Sequence, residues 1–417
     1  MAQLTDDCFA FGGKLMRIED ALTELERRLP PIDETEAAPL TDAEGRILAA
    51  DIVAGRSVPP HDNSAVDGYA VRFADLAADG PTRLPLAGRV AAGHPLADPL
   101  PAGSALRAFT GAALPSGVDT VLMQEDCEVD GDTVSIPPGI RKGANYRLAG
   151  EDVAEGSTIL ERGRRLRPAD LGLAASIGLA ELPVFRRLKV ALFSTGDEVR
   201  EPGTTTPEGA IYDANRFTLH GLLRRLGCEI TDLGILPDDA GRLRRALGDA
   251  ASGHDLLMTS GGVSGGEEDH VKQAVEQAGG AVHAWRLAIK PGRPVALGQI
   301  GSTAFIGLPG NPVAVLVTFL LVARPLLLRR AGAERTAPRL FPVTAAFGYR
   351  KKKDRREYVR VTLETGEDGR PRAVKHPRDG AGILSSVVES DGLVELGEEV
   401  TEIRPGETVS FLSFDGF

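Results

Sequence analysis

The stretch Asp255-Leu256-Leu257-Met258-Thr259-Ser260-Gly261-Gly262-Val263-Ser264-Gly265-Gly266-Glu267-Glu268-Asp269 decides the fold. Its first half is a short apolar run bounded by turn signals, which predicts a buried strand, and from Asp269 onward Val271, Val275 and Ala278 recur at helical spacing. A glycine-rich loop joins the two. Strand, glycine loop and helix N-terminus make an anion site, because backbone N–H groups without intrahelical partners point outward and the helix dipole adds positive potential. Glu267, Glu268 and Asp269 stand at the same place, and carboxylates repel a phosphate unless a divalent cation with oxygen ligands lies between them. The loop therefore suggests phosphate with Mg²⁺. The plainer reading makes Asp269 a helix N-cap and the glycines a turn.

On both sides of this stretch, from Leu188 to Arg330, strand and helix patterns alternate. Lys189 to Phe193, Glu229 to Ile235, Asp255 to Thr259 and Ala281 to Ala288 read as strands. Arg216 to Leu226, Ala240 to Ala251, Asp269 to Ala278 and Pro312 to Leu328 read as helices. This spacing predicts a mostly parallel sheet with helices on both faces, on which ligands sit at the carboxyl ends of the strands. Ser194-Thr195-Gly196-Asp197-Glu198, Asp238-Asp239, the glycine loop, Lys290-Pro291-Gly292-Arg293-Pro294 and Leu308-Pro309-Gly310-Asn311-Pro312 all fall at such ends. Acidic Glu198, Asp238 and Asp269 facing basic Arg286, Lys290 and Arg293 form a pocket with separated charge, suited to a phosphorylated ligand with metal on one side and a bare oxyanion on the other. Solvated loop charges and helix caps are the competing reading.

Towards the N-terminus, a helix is predicted from Met16 to Arg28, ended by Pro30-Pro31, and Leu40 to Ile52 reads as a helix or extended piece. The polar loop His61-Asp62-Asn63-Ser64-Ala65-Val66-Asp67-Gly68 opens a β-rich unit between residues 56 and 144, in which Asp67 and Thr110 have ordinary roles as turn residues. Pro168 to Leu179 is helix-like. Beyond Leu340 the chain turns strand-rich again and begins with the basic run Lys351-Lys352-Lys353-Asp354-Arg355-Arg356.

With 417 residues the chain exceeds one ordinary core, and two to four domains are expected. The 48 Lys and Arg against 59 Asp and Glu, net −11, argue against a protein that coats nucleic acid or an anionic membrane. Cys8, Cys127 and Cys228 are scattered and form no C-x-x-C pair, as expected of reduced thiols in the cytoplasm. Residues Met1 to Asp20 lack the apolar segment of a secretory signal. No apolar run reaches membrane-spanning length without a charge.

Together the motifs resemble one family, the molybdopterin molybdenumtransferases, which are the MoeA-type molybdenum insertases also represented in the C-terminal part of gephyrin. The matching residues are Asp62 to Ala70, Thr110-Gly111-Ala112, Gly150-Glu151-Asp152, Ser194 to Glu198, Ser260 to Ser264, Lys290-Pro291-Gly292 and Leu308 to Val313, in order along residues 14 to 417. The resemblance implies a multidomain α/β and β protein. An elongated N-terminal domain (1–55 with 145–186) carries an inserted β-rich domain (56–144), followed by a doubly wound α/β domain (187–333) and a C-terminal β domain (334–417). It implies a homodimer with the site shared between protomers, and insertion of molybdate into adenylylated molybdopterin with Mg²⁺-dependent release of AMP. Catalytic roles fall on Asp67, Thr110, Asp152, Glu198, Asp238 and Lys290, and Mg²⁺ ligation on Glu198, Asp238 and Asp269. Ser260, Gly261, Gly262, Val263, Ser264, Arg286, Arg293, Pro309, Pro312, Arg360, Ser385 and Ser386 form the substrate pocket.

The molybdopterin adenylyltransferase and downstream cofactor-handling proteins are the implied partners. Arg286 and Arg293 depart from the family's common lysines, and Ala314 and Ala381 from frequent serines, which leaves Ser385 and Ser386 as hydroxyl donors to molybdate. An adenylyltransferase would share only the α/β domain, and a partner-clustering scaffold would share the fold without the chemistry.

Overall fold

The computed structural model describes residues 15–262 and 270–417. Val263, Ser264 and Asp269 of the predicted site lie outside the described residues. The central domain holds strands β1 (Lys189–Thr195), β2 (Glu229–Leu236), β3 (Leu256–Ser260), β4 (Ala281–Arg286), β5 (Pro294–Ile300) and β6 (Thr303–Leu308), in the order β2-β1-β3-β6-β5-β4. β1 runs parallel to β2 and β3, and β3 parallel to β6. β5 runs against both β6 and β4. The reversal has a simple cause: only Gly301-Ser302 links β5 to β6, and a parallel crossover needs a dozen residues or more.

Alternation along β1 explains the two helical layers. Val190 and Leu192 point to one face, where they share a core with Leu219 and Leu223 of α1 (Asn215–Arg225) and with α4 (Pro312–Arg330). Ala191 and Phe193 point to the other, against Leu243 and Leu247 of α2 (Ala240–Ala251) and Val271 and Val275 of α3 (His270–Gln277). Each such fully buried Leu or Val stabilises the fold by about 1.5–3 kcal/mol. α4 is long and apolar enough to cross a bilayer, yet 83% of its apolar window is buried within the protein. It widens into a π-helical turn at Phe319–Ala323. Pro325 accounts for this, since it brings no N–H and its ring would collide with the carbonyl four residues earlier.

The helix Ile18–Arg28 buries Ile18 and Ala21 in the core that contains α4. Residues Leu40 to Ile52 form a short 3-10 turn at Leu40–Asp42, single bridges from Ile47 to Arg165 and from Leu48 to Val184, and the start of the short strand Ile52–Val53, so the segment is extended rather than helical. Thr35–Pro39 pairs antiparallel with Glu181–Phe185, so both ends of the N-terminal domain's sequence meet in one small core around Leu48, Leu160 and Val184. The β-rich segment between them forms its own six-stranded sheet from Gly68–Val71 to Thr133–Ile136. In the C-terminal domain, Arg356–Thr365 pairs with both Pro371–Lys375 and Gly392–Leu396, and Phe341–Ala345 and Thr408–Ser413 complete the circuit, closing a barrel with no free edge. The barrel is joined to the central domain by backbone pairing. Ile289–Lys290 runs parallel to Arg356–Glu357.

Candidate active site

The carboxyl ends of β1, β2, β3 and β6 lie level, with Thr195 beside Leu236, Ser194 beside Ser260 and Ser260 beside Leu308. Because β5 is reversed, it opens at this edge with Pro294, which pairs with Arg286 at the end of β4. The edge therefore runs from Asp238 after β2, through Glu198 after β1 and the glycine loop after β3, to Pro309 after β6 and Arg293 before β5. With strands about 4.8 Å apart, the strand positions of the acidic flank and of Arg293 are about 15–20 Å apart.

At the centre of the edge the glycines are a steric necessity. Gly261 and Gly262 both have left-handed backbone, φ 88° and 64°, and a Cβ on Gly262 would meet Val271 Cγ2 at 2.7 Å and Thr195 Cγ2 at 2.9 Å. Ser260 is 5% exposed and donates to the Pro309 carbonyl at 3.2 Å while accepting from Asn215 Nδ2 at 2.9 Å. Asn215 also donates to the Gly310 carbonyl at 2.8 Å, tying the glycine loop to the loop that opens α4. Sequence reasoning missed Asn215. Its position at the start of α1, on the same edge, was the available signal.

Glu198 is exposed and folds back over Gly196, where an added Cβ would lie 2.6 Å from its carboxylate. Asp238 is half-buried, whereas its neighbour Asp239 caps α2 by accepting from the Arg242 N–H at 2.7 Å. The buried hydroxyls of Ser194 and Thr195, at the end of β1, have no hydrogen-bond partner among the described residues. Among the described residues no three His, Cys, Asp or Glu side chains converge tightly enough to hold a metal ion.

At the basic flank a cavity of about 370 Å³ opens between the central domain and the barrel, with Lys290, Pro309 and Ala314 on one wall and Glu357, Arg360 and His376 on the other. Glu357 is almost fully buried: Lys290 Nζ lies 3.3 Å away, Arg355 Nε donates at 3.1 Å and the Tyr349 hydroxyl at 2.8 Å. Burial pushes the Glu357 pKa up, but Tyr349, Arg355 and Lys290 outweigh it and hold the carboxylate below its ordinary range. Arg360, 7% exposed, donates to the carbonyls of Gly380 at 2.9 Å and Arg378 at 3.1 Å and to Ser386 Oγ at 2.6 Å. Burial lowers its pKa. The Ser386 hydroxyl itself donates to the Ile383 carbonyl, so it is committed within the barrel. Ser385 is exposed, and neither serine lines the cavity; nor do Arg286 and Arg293. Pro312 stands half-buried at the first position of α4. The main chain of Val313 donates to the Ala381 carbonyl at 3.0 Å, which presses the barrel loop against the start of that helix.

The remaining candidates belong to the other two domains. Thr110 donates to Asp67 Oδ1 from its main-chain N–H at 2.8 Å and from its hydroxyl at 2.7 Å. These two bonds lower the Asp67 pKa, with the main-chain N–H contributing most. Asp152 is exposed, its main-chain N–H bound to the Val58 carbonyl at 3.1 Å. Within one chain the hydrogen bonds of Asp67 and Thr110 stay inside the inserted domain.

Comparison with known proteins follows the same division. Three family models match in order: MoeA N-terminal region (domain I and II) over residues 16–178, probable molybdopterin binding domain over 191–329, and MoeA C-terminal region (domain IV) over 342–414. A molybdopterin molybdenumtransferase of Haemophilus influenzae is 39% identical over 403 residues, covering 96% of this chain and 99% of the relative. The chain belongs to the molybdopterin molybdenumtransferase family. As a member, the transferase acts in molybdenum cofactor biosynthesis. The molybdopterin molybdenumtransferase 2 of Mycobacterium tuberculosis is 36% identical over 399 residues, covering 92% of this chain and 95% of the relative. A crystal structure of the molybdopterin biosynthesis moeA protein from Pyrococcus horikoshii superposes with a TM-score of 0.81 at 30% identity, covering 96% of this chain and 100% of that one.

Proposed function

We propose that the transferase is a molybdenum insertase that takes adenylylated molybdopterin and molybdate, exchanges the protons or copper on the dithiolene sulfurs for the metal with loss of an oxo group as water, and releases AMP. The observation that carries this reading is the placement of one glycine loop between an acidic flank and a cationic cavity. Phosphate binds at the loop, where Gly261 and Gly262 let the main chain approach closely. Molybdate, a tetrahedral dianion, enters the cavity beside Lys290 and Arg360. Cleavage of the phosphoric anhydride by a positioned water then sends AMP out, a reaction that rests on charge neutralisation rather than on covalent chemistry.

Glu198 and Asp238, with the Thr195 hydroxyl that has no partner among the described residues, offer the hard oxygen donors that suit Mg²⁺. When bound there, Mg²⁺ supplies positive charge against the phosphates, and Asp269 is the third carboxylate of the proposed set. Asp67, with Thr110 holding it ionised, and Asp152 complete the site from a second protomer, since the side-chain bonds of Asp67 and Thr110 within one chain join only these two residues. The upstream adenylyltransferase delivers the substrate and cofactor-handling proteins receive the product. Free Cys127 and Cys228 fit a cytoplasmic setting.

The test is AMP release. Purified protein given adenylylated molybdopterin, Mg²⁺ and molybdate liberates AMP on this reading, and loses that activity on Asp67→Asn. Protein that binds the substrate without liberating AMP acts as a scaffold instead.

A further inference from the structure

α4 starts at the carboxyl edge and, at about 1.5 Å per residue, ends roughly 28 Å away from it. There, residues Glu161 to Arg167 of the N-terminal domain and Glu334-Arg335 just beyond α4 enclose a second pocket, of about 240 Å³. Its walls are fastened by the Glu334 N–H donating to the Gly163 carbonyl at 3.0 Å. Five arginines line it: Arg162, Arg164, Arg165, Arg167 and Arg335. On a chain of net charge −11 such a concentration is out of character.

The carboxylates nearby balance these arginines only in part. Asp170 serves two of them, at 2.7 Å from Arg164 and 3.4 Å from Arg167, Glu161 attracts Arg164 from an exposed position, Asp51 accepts only from the Arg162 main-chain N–H at 2.7 Å, and Glu334 is exposed. Arg162 and Arg165 are held by main-chain carbonyls, of Ala49 at 3.1 Å and Arg225 at 2.7 Å, and Arg162 also stacks on the Phe185 ring at 5.2 Å. These contacts fix the guanidinium planes without neutralising them. Arg164 Nε is buried and has no partner among the described residues, and the Arg335 side chain makes no hydrogen bond or ion pair among them. Arg324, 9% exposed behind Arg165, adds a further cation whose Nε is likewise unpartnered among the described residues.

Planar guanidinium forks that are short of anions, two of them fixed in advance by main-chain carbonyls, suit phosphate oxygens, which they can bind in pairs. The pocket is small and concave, which fits a compact polyanion better than an extended acidic chain. We propose that this pocket binds a polyphosphate anion, free or as the phosphate chain of a nucleotide, independently of the site at the carboxyl edge.

Arginine labelling with phenylglyoxal, read peptide by peptide on the full chain without Mg²⁺, tests this. Millimolar inorganic pyrophosphate is expected to reduce labelling of Arg162 and Arg335 severalfold, equally in the Lys290→Ala variant, so that failure of the active-site reading leaves the result unchanged. Arg335→Glu should weaken the protection of Arg162 at least about tenfold, the loss expected for one charge-assisted contact. Equal protection by pyrophosphate and ATP assigns the pocket to a phosphate chain as such, and protection by ATP alone makes the ligand a nucleotide. Labelling unchanged by either compound overturns the proposal, as does protection that survives Arg335→Glu undiminished.

Discussion

Lys290 Nζ lies 3.3 Å from a carboxylate oxygen of Glu357, across the junction between the central sheet and the C-terminal barrel. The contact joins two domains at the mouth of the cavity, and it sets the position of the cation that molybdate would meet. Glu357→Gln leaves Lys290 and Arg355 facing a neutral amide. We expect a loss of about 2 kcal/mol, less than the ~3–5 kcal/mol for breaking a fully buried pair because Lys290 is half-exposed. The pH dependence has a definite sign. Tyr349, Arg355 and Lys290 outweigh burial and depress the Glu357 pKa, so its stabilisation is full above the ordinary value of 4.5 and is lost as pH falls through the lower folded value. Calorimetric melting should show the native protein losing stability below pH 4.5 more steeply than Glu357→Gln.

Thr110→Val removes the hydroxyl bond to Asp67 but keeps the main-chain one, which is the larger influence on the carboxylate. The Asp67 pKa should rise part of the way toward 3.8, as measured by carboxyl-carbon NMR titration. Turnover should fall about tenfold, the scale of one charge-assisted hydrogen bond, with little change in melting temperature.

Gly68 follows Asp67 in a strand, and a Cβ there would lie 1.8 Å from the Leu122 carbonyl oxygen. No side-chain rotation relieves a clash with main chain. Gly68→Ala should destabilise the inserted domain by about 2–4 kcal/mol. A thermal melt followed by circular dichroism checks this, and a variant melting within a degree of the native protein contradicts it.

Arg360 donates to three acceptors spread around one guanidinium plane. A lysine ammonium cannot reach all three from one point. Arg360→Lys should therefore behave like Arg360→Ala, raising the molybdate Kd by about tenfold in calorimetric titration. Full retention of affinity by the lysine variant would mean that charge alone matters there.

Local sequence patterns carried much of this design. The strand read from Lys189 to Phe193, within a chain that alternates strands and helices, is the core of an observed strand buried on both faces, and Gly261-Gly262 marked a tight loop after the next central strand. What depended on distant pairing was hidden. Thr110 reaches Asp67 across 43 residues, which no local period records. Asp239 and Asp238 read alike until one of them caps α2. Glu357 sits at the end of a basic run that looks like a solvated face, and only pairing of Ile289–Lys290 with Arg356–Glu357 turns it toward the cavity. Ser386 looked like a hydroxyl donor, but the fold commits its proton to the Ile383 carbonyl.

The most direct measurement is anomalous diffraction from crystals of the full chain soaked in molybdate. One dominant molybdenum peak is expected in the cavity between the domains, within hydrogen-bonding distance of both Lys290 and Arg360, and weakened in crystals of Arg360→Ala soaked at the same sub-saturating concentration. A dominant peak elsewhere, with this cavity empty at saturating molybdate, would contradict it.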